Sequence, residues 1–393
     1  MNEQITIPSA TLSNILSMAL PLCKRAIQPI LQCALIEEAG ITFSDLSTTI
    51  FMPLPKTDLA RGLHPAKGLH PAKGPWTPRC FPVDDLQRIV SVSTAAEVQL
   101  QDSGKIIMGV GTLQGRSRFT VPTFEGDAYP ASVDMDSVEA TLNVDAALLM
   151  AALSAVRLAS GVKDARTFLN GVHCYLDAGS NRLMLEATDG HRLNRVVIPV
   201  ESATSLTDVD LIIGREDVAV LVRALKDVSG PVVLKVGNQG TRAVFSIPEV
   251  MEIRVALVGA RFPDTNRVIP NLESRPLQII VDREAFKLAL RQAIVTSDKG
   301  FVKLIVVDGQ PLRIESAYDG RDAVAELEAQ VAGFQGDYEI AFNGHLLVEM
   351  AEAHDFLSSP EQTTITLNLS GPGDALLTST GHGDVIIAMP VRF

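Results

Sequence analysis

Apolar residues return at helical spacing in six stretches of the chain, and the six sort into two sets of three. In the first set a strand-like run leads into a capping residue and then an amphipathic helix. The expected caps are Ser9, Asp145 and Asp282, separated by 136 and 137 positions. Three, six and seven places beyond each cap stand Leu12, Ile15 and Leu16; Leu148, Ala151 and Ala152; and Ala285, Leu288 and Ala289. That spacing puts each trio on one helical face, the side expected to be buried. The second set starts near Pro82, Gly214 and Asn343. Four, seven and eight places on come Leu86, Ile89 and Val90; Val218, Leu221 and Val222; and Leu347, Met350 and Ala351. Two independent helices keeping nearly one period predict a triplicated chain.

Between the helices the pattern is that of strands. Residues 183–198 read as two β-rich runs joined by Asp189-Gly190, a strong hairpin signal, and residues 305–327 repeat the device at Asp308-Gly309 and Asp319-Gly320. Each unit is thus of α+β type, two helices with strands, with expected domains at 1–136, 137–272 and 273–393. One segment departs from the period. LHPAKG occurs twice in tandem, at 63–68 and 69–74, and the distance from Asp45 to Pro82 exceeds its two counterparts by 12 or 13 positions. The tandem is therefore expected to be an inserted loop near 61–75 of the first unit. Its His64 and His70 lack a neighbouring carboxylate or thiolate, so solvated histidines are favoured over a metal site.

Composition narrows the function. Of 393 residues, 46% are hydrophobic and 20% charged, which is globular usage. No apolar run reaches the length of a membrane span, and the N-terminus has no secretory pattern. Four dispersed cysteines, Cys23, Cys33, Cys80 and Cys174, argue for reduced thiols and against a disulfide scaffold or a zinc site. A net charge of −12 with 5% aromatics makes the chain a poor nucleic-acid binder by surface attraction or base stacking alone. The densest polar cluster is Thr188-Asp189-Gly190-His191-Arg192. Asp189 and His191 could form an acid–base pair, as a hydrolase or nuclease would need, yet Asp-Gly is also what a tight turn requires. No other catalytic motif accompanies them.

ATDGHRL (187–193), ARFPDTNRVIP (260–270) and the terminal MPVRF (389–393), with TFLNG (167–171) and YEIAFN (338–343), resemble the β sliding clamp family, the DNA polymerase III beta subunits of bacteria. The resemblance implies three clamp-type domains, each with two helices packed on β-sheet, and a head-to-tail homodimeric ring around duplex DNA. It implies a cytoplasmic, nucleoid-associated processivity factor without enzymatic activity, cofactor or metal. Its partners would be a clamp loader, the DNA polymerase III alpha subunit and other proteins with clamp-binding motifs, and no membrane.

The resemblance also implies a peptide pocket between the second and third domains. Its walls would be Leu169, Thr188, Gly190, His191, Arg192, Leu193, Pro263, Arg267, Val268, Ile387, Met389, Pro390, Val391 and Arg392. It would accept a short segment carrying Gln and bulky apolar residues. Helix residues expected to face DNA are Lys24, Arg25, Arg88, Arg157, Lys163, Arg215, Arg223, Arg283, Lys287 and Arg291. Enclosure then accounts for the acidic balance, because a ring needs only weak phosphate contacts to stay on and slide. Two features depart from the pattern. Asp84-Asp85 stand where similar clamps carry basic residues, and Glu216-Asp217 follow Arg215. With the tandem, they leave open a specialised second clamp serving repair or drug resistance.

Overall fold

A computed structural model describes residues 4–53, 76–93, 95–110, 115–130, 135–177, 180–204, 209–297, 299–318, 320–333 and 336–392. The LHPAKG tandem with His64 and His70, and Asp319 of the third hairpin, lie outside them. Six α-helices occur among the described residues: α1 (Ser9–Arg25), α2 (Val83–Ser91), α3 (Ala146–Arg157), α4 (Arg215–Leu225), α5 (Arg283–Ile294) and α6 (Gly344–Leu357).

The first N–H groups of a helix have no partner within it, and the chain meets that need in one repeated way. Ser9 N–H donates to Ala96 O at 2.9 Å, Ala146 N–H to Gly230 O at 2.9 Å, and Arg283 N–H to Thr363 O at 2.8 Å. Each acceptor lies just before the strand that follows the second helix. Donors recur every 137 residues and acceptors after 134 and 133. Two of the second helices, α4 and α6, share a related device: Arg215 N–H donates to Asn170 O and Gly344 N–H to Gly300 O.

This register corrects the expected first-helix faces by one residue. Ser9 is not a cap but the first helical residue. Pro8 occupies the cap position without a side-chain hydrogen bond, so Pro8, not Ser9, is the counterpart of Asp145 and Asp282. Asp282 does cap, accepting from Ala285 N–H at 2.8 Å. Leu12, Ile15 and Leu16 are buried as expected, but their true counterparts are Leu149, Ala152 and Leu153, and Phe286, Ala289 and Leu290, all buried. Leu148 and Leu288, placed in the core by the sequence pattern, are instead exposed. The second-helix faces need no correction: Leu86, Val218 and Leu347 are each fully buried.

The chain forms two compact units: residues 1–147, 201–208 and 220–257, and residues 148–200, 209–219 and 258–393. Among the described residues the first holds a ten-stranded and a four-stranded sheet and the second a nine-stranded and a four-stranded sheet, with antiparallel pairings. Phe43, Phe81 and Phe245 fill the first core, and Phe286 and Phe342 the second.

Each large sheet is two smaller sheets joined at one seam. In the first unit Met251–Ala256 pairs with Thr48–Pro53, with Ile253 opposite Ile50. In the second, Arg192–Pro199 pairs with Val385–Ala388, with Leu193 opposite Ile387. The two four-stranded sheets end in the corresponding strands, Gly115–Thr120 and Arg321–Leu327, and each of these has a single neighbour among the described residues. Arg116 and Arg118 are exposed on one, Asp322 and Glu326 on the other.

Candidate functional site

The site grows out of the hairpin between Arg182–Thr188 and Arg192–Pro199. Its turn needs a residue in the left-handed region, and Gly190 supplies it at φ +92°. Asp189 Oδ1 accepts from His191 N–H at 2.9 Å and Arg192 N–H at 3.1 Å, while Oδ2 takes Arg192 Nε at 2.9 Å. Thr188 Oγ1 donates to Arg192 O and accepts from Gly190 N–H. The Asp189 carboxylate therefore shapes the turn and is not paired with the His191 ring.

The C-terminal segment docks on this hairpin. Met389 N–H donates to His191 O at 2.8 Å, one step beyond the seam, and Val391 N–H donates to Ala341 O at 2.8 Å. Leu193, Ile387 and Ala375 form a buried apolar cluster against which Ile269 and Val385 pack. Of the pocket residues expected from sequence, Leu169, Leu193 and Ile387 are buried, while Thr188, Arg192, Pro390 and Val391 are half-buried. Gly190, His191, Pro263, Arg267, Val268, Met389 and Arg392 are exposed. Val268 and Met389 are apolar side chains left open to solvent at 62% and 44%. All fourteen lie in the second unit.

Two features of this region were not anticipated. The Arg166 guanidinium lies 3.7 Å from where a Cβ on Gly190 would stand. Hydrogen bonds from Arg166 lower the Asp164 carboxyl to about 2. Arg192 also reaches α6, where its Nη1 pairs with Glu349.

The second is a polar row across three neighbouring strands. His173 stands opposite Glu186 and Glu186 opposite Arg195. His173 Nδ1 is 3.0 Å from Glu186 Oε1 and its Nε2 is 2.8 Å from Asp210 Oδ1. Arg195 Nε donates to Glu186 Oε2 at 2.8 Å. The hairpin register alone places Glu186 against Arg195, so that pair was legible once the turn was fixed.

The basic residues expected on the DNA side are largely engaged within the chain. Lys287 is a correction: it is buried, its ammonium 2.6 Å from Asp355 and 2.5 Å from Glu284. Burial alone would lower its pKa, but those two carboxylates hold it above the ordinary lysine value. Arg283 pairs with Asp355 at 2.8 Å and Arg291 with Glu352 at 2.7 Å. Arg215 donates to Arg157 O and Ser160 O, and Arg157 Nε returns to Arg215 O. Arg25 pairs with Asp45, Arg88 with Asp84 at 3.7 Å, and Arg223 donates to Ser17 O. Lys24 and Lys163 are exposed.

Comparison with known proteins agrees with this architecture. Residues 143–264 match the family described as DNA polymerase III beta subunit, central domain. The chain is 28% identical over 307 residues to the beta sliding clamp of Caulobacter vibrioides, covering 74% of this chain and 79% of that one. It is 27% identical over 283 residues to that of Vibrio cholerae, covering 71% and 72%. Among solved structures, the sliding clamp of Bartonella birtlesii bound to griselimycin superposes with a TM-score of 0.81 at 23% identity, covering 100% of both chains. The DNA polymerase III beta subunit of Thermotoga maritima gives 0.78 at 23%, also over 100% of both.

Proposed function

We propose that this chain, a relative of the bacterial beta sliding clamps in sequence and a sliding clamp in fold, closes with a second copy into a ring. The ring encircles duplex DNA and tethers a polymerase to it as a processivity factor without chemistry of its own. The observation that carries the reading is the unfinished seam. Two of three equivalent strand pairs are joined within the chain, 251–256 with 48–53 and 385–388 with 192–199. The remaining pair, Gly115–Thr120 and Arg321–Leu327, can be joined between two copies, head to tail, which pairs the open edge of each of these two strands. The exposed arginines of one strand and carboxylates of the other suit that pairing.

In this reading the chain carries three domains, 1–136, 137–272 and 273–393. Enclosure holds the DNA, so a chain of net charge −12 with half of the ten expected cations already paired with carboxylates is compatible with sliding. A loader opens the ring. Partners dock through a short peptide carrying Gln and bulky apolar residues, seated over Leu193 and Ile387 between Val268 and Met389. The flexible thioether of Met389 adapts to different apolar side chains.

The combined substitution Met389→Ala and Pro390→Ala tests the groove. Affinity for such a peptide, read by fluorescence anisotropy, is expected to fall at least about tenfold, with the native mass unchanged. Unaltered affinity removes the groove assignment.

A further inference from the structure

We propose that the buried row His173–Glu186–Arg195 is a positioning device for the peptide groove, holding the 262–268 segment in one register through Thr265 and Asn266. The inference rests on the groove reading given above.

Burying charged groups is costly, and a well-packed apolar row is usually as stable. Here Glu186, Arg195 and His173 are all buried on adjacent strands of one sheet. His173 Nε2 is taken by Asp210, and the atoms that Arg195 and Glu186 have left over point to a single loop. Arg195 Nη1 donates to Asn266 Oδ1 at 2.8 Å, and Nη2 donates to Thr265 Oγ1. Thr265 Oγ1 in turn donates to Glu186 Oε2 at 2.7 Å. The hydroxyl thus accepts from one member of the ion pair and donates to the other, which only one placement of the loop permits. A planar guanidinium fixes direction as well as distance.

A second anchor precedes it. Phe262 stacks on the His173 ring, with centroids 4.6 Å apart and planes at 19°. A third follows: Ile269 packs on the Leu193–Ile387 cluster. Phe262 and Thr265 are buried, whereas the residues offered to a partner, Pro263, Arg267 and Val268, are exposed. Short local bonds complete the segment. Asp264 accepts from Asn266 N–H at 3.2 Å and from Arg267 Nε at 3.0 Å, and Val268 N–H donates to Thr265 O at 3.0 Å. Burial alone would raise the Glu186 carboxyl. Hydrogen bonds from His173 and Thr265 and the Arg195 charge nevertheless hold it below the ordinary glutamate value, so the anchor stays ionised at neutral pH. The row spends buried charge on presenting Val268 beside the apolar floor, and a pre-ordered wall raises affinity by removing an ordering cost from binding.

The test compares Thr265→Val, which keeps the shape and removes both hydroxyl bonds, with Thr265→Ser, which keeps the hydroxyl. The probe is a labelled peptide carrying one Gln and two bulky apolar residues, added to the full chain. Thr265→Val is expected to raise Kd about tenfold and to speed amide exchange at Asn266 and Val268, with native mass unchanged. Thr265→Ser is expected to stay within about twofold of wild type. Asn266→Ala, at an exposed position, removes the second prong and serves if Thr265→Val fails to fold; a rise in Kd of about threefold is expected. Wild-type affinity in Thr265→Val and Asn266→Ala, or equal losses in Thr265→Val and Thr265→Ser, overturns the positioning role. If Met389→Ala still weakens the peptide, the groove stands without it. If Met389→Ala has no effect either, groove and positioning role fall together.

Discussion

Arg116→Glu combined with Arg118→Glu is expected to convert a two-chain species into single chains at micromolar concentration. Both arginines are exposed on the open strand Gly115–Thr120, and the strand proposed to receive it carries exposed Asp322 and Glu326. Cross-strand pairs of opposite charge contribute up to about 1 kcal/mol each, and like charges cost a similar amount. At about 0.5 kcal/mol per pair each reversal is worth about 1 kcal/mol, and a two-fold ring has two such seams, so reversal at two positions shifts closure by about 4 kcal/mol, on the order of a thousandfold in the association constant. Asp322→Arg with Glu326→Arg in the same chain restores opposite signs and is expected to restore the two-chain mass. Glu326 lies 3.7 Å from Arg313 of its own chain, which shares part of its charge, so Asp322 is expected to dominate the rescue. Mass photometry or sedimentation reads both results. Unchanged mass in the reversed variant rejects the seam.

Stability is expected to fall by about 3 kcal/mol between neutral pH and pH 4 through His354 alone. This side chain of α6 is 1% exposed. Its Nε2 lies 2.9 Å from Thr378 Oγ1, and its Nδ1 has no hydrogen-bond partner among the described residues. Burial pushes its pKa down from 6.5 to about 4, although nearby Asp384 and Asp355 favour the charged ring. The sign follows from which state takes the proton. Below pH 6.5 the unfolded chain protonates this ring while the folded chain keeps it neutral, so stability is lost as pH falls. The loss levels off below about pH 4, where the folded ring protonates too. His354→Gln keeps a partner for Thr378 and does not titrate. Urea midpoints at pH 7 and pH 4.5 are expected to differ much less in this variant than in the wild type. Equal differences in the two proteins contradict the assignment.

The six helices were legible because each apolar face repeats at a fixed distance, and tertiary packing preserves that spacing. The one-residue slip at α1 arose because Ser9 is a good capping residue by type. The chain satisfies the Ser9 N–H with Ala96 O instead, a partner 87 positions away that no local pattern reveals. The slip then carried Leu148 and Leu288 into a predicted core they do not join. Lys287 failed for a related reason. Its charge predicts solvent, but Asp355, on another helix, makes burial tolerable. The hairpin turn was readable because Asp189-Gly190 is a contiguous signal between two strand-like runs. The His173–Glu186–Arg195 row was missed because His173 comes from a neighbouring strand and the bonds of Arg195 reach a loop roughly 70 residues onward in the chain.

Retention on DNA of different topology tests the central claim most directly. Loaded onto a nicked circular duplex, the protein is expected to stay bound through gel filtration at high salt and to be lost when a single cut makes the circle linear. A polyanion held by surface attraction responds to salt and not to the cut. Equal retention on circle and line contradicts enclosure, whatever the peptide groove proves to bind.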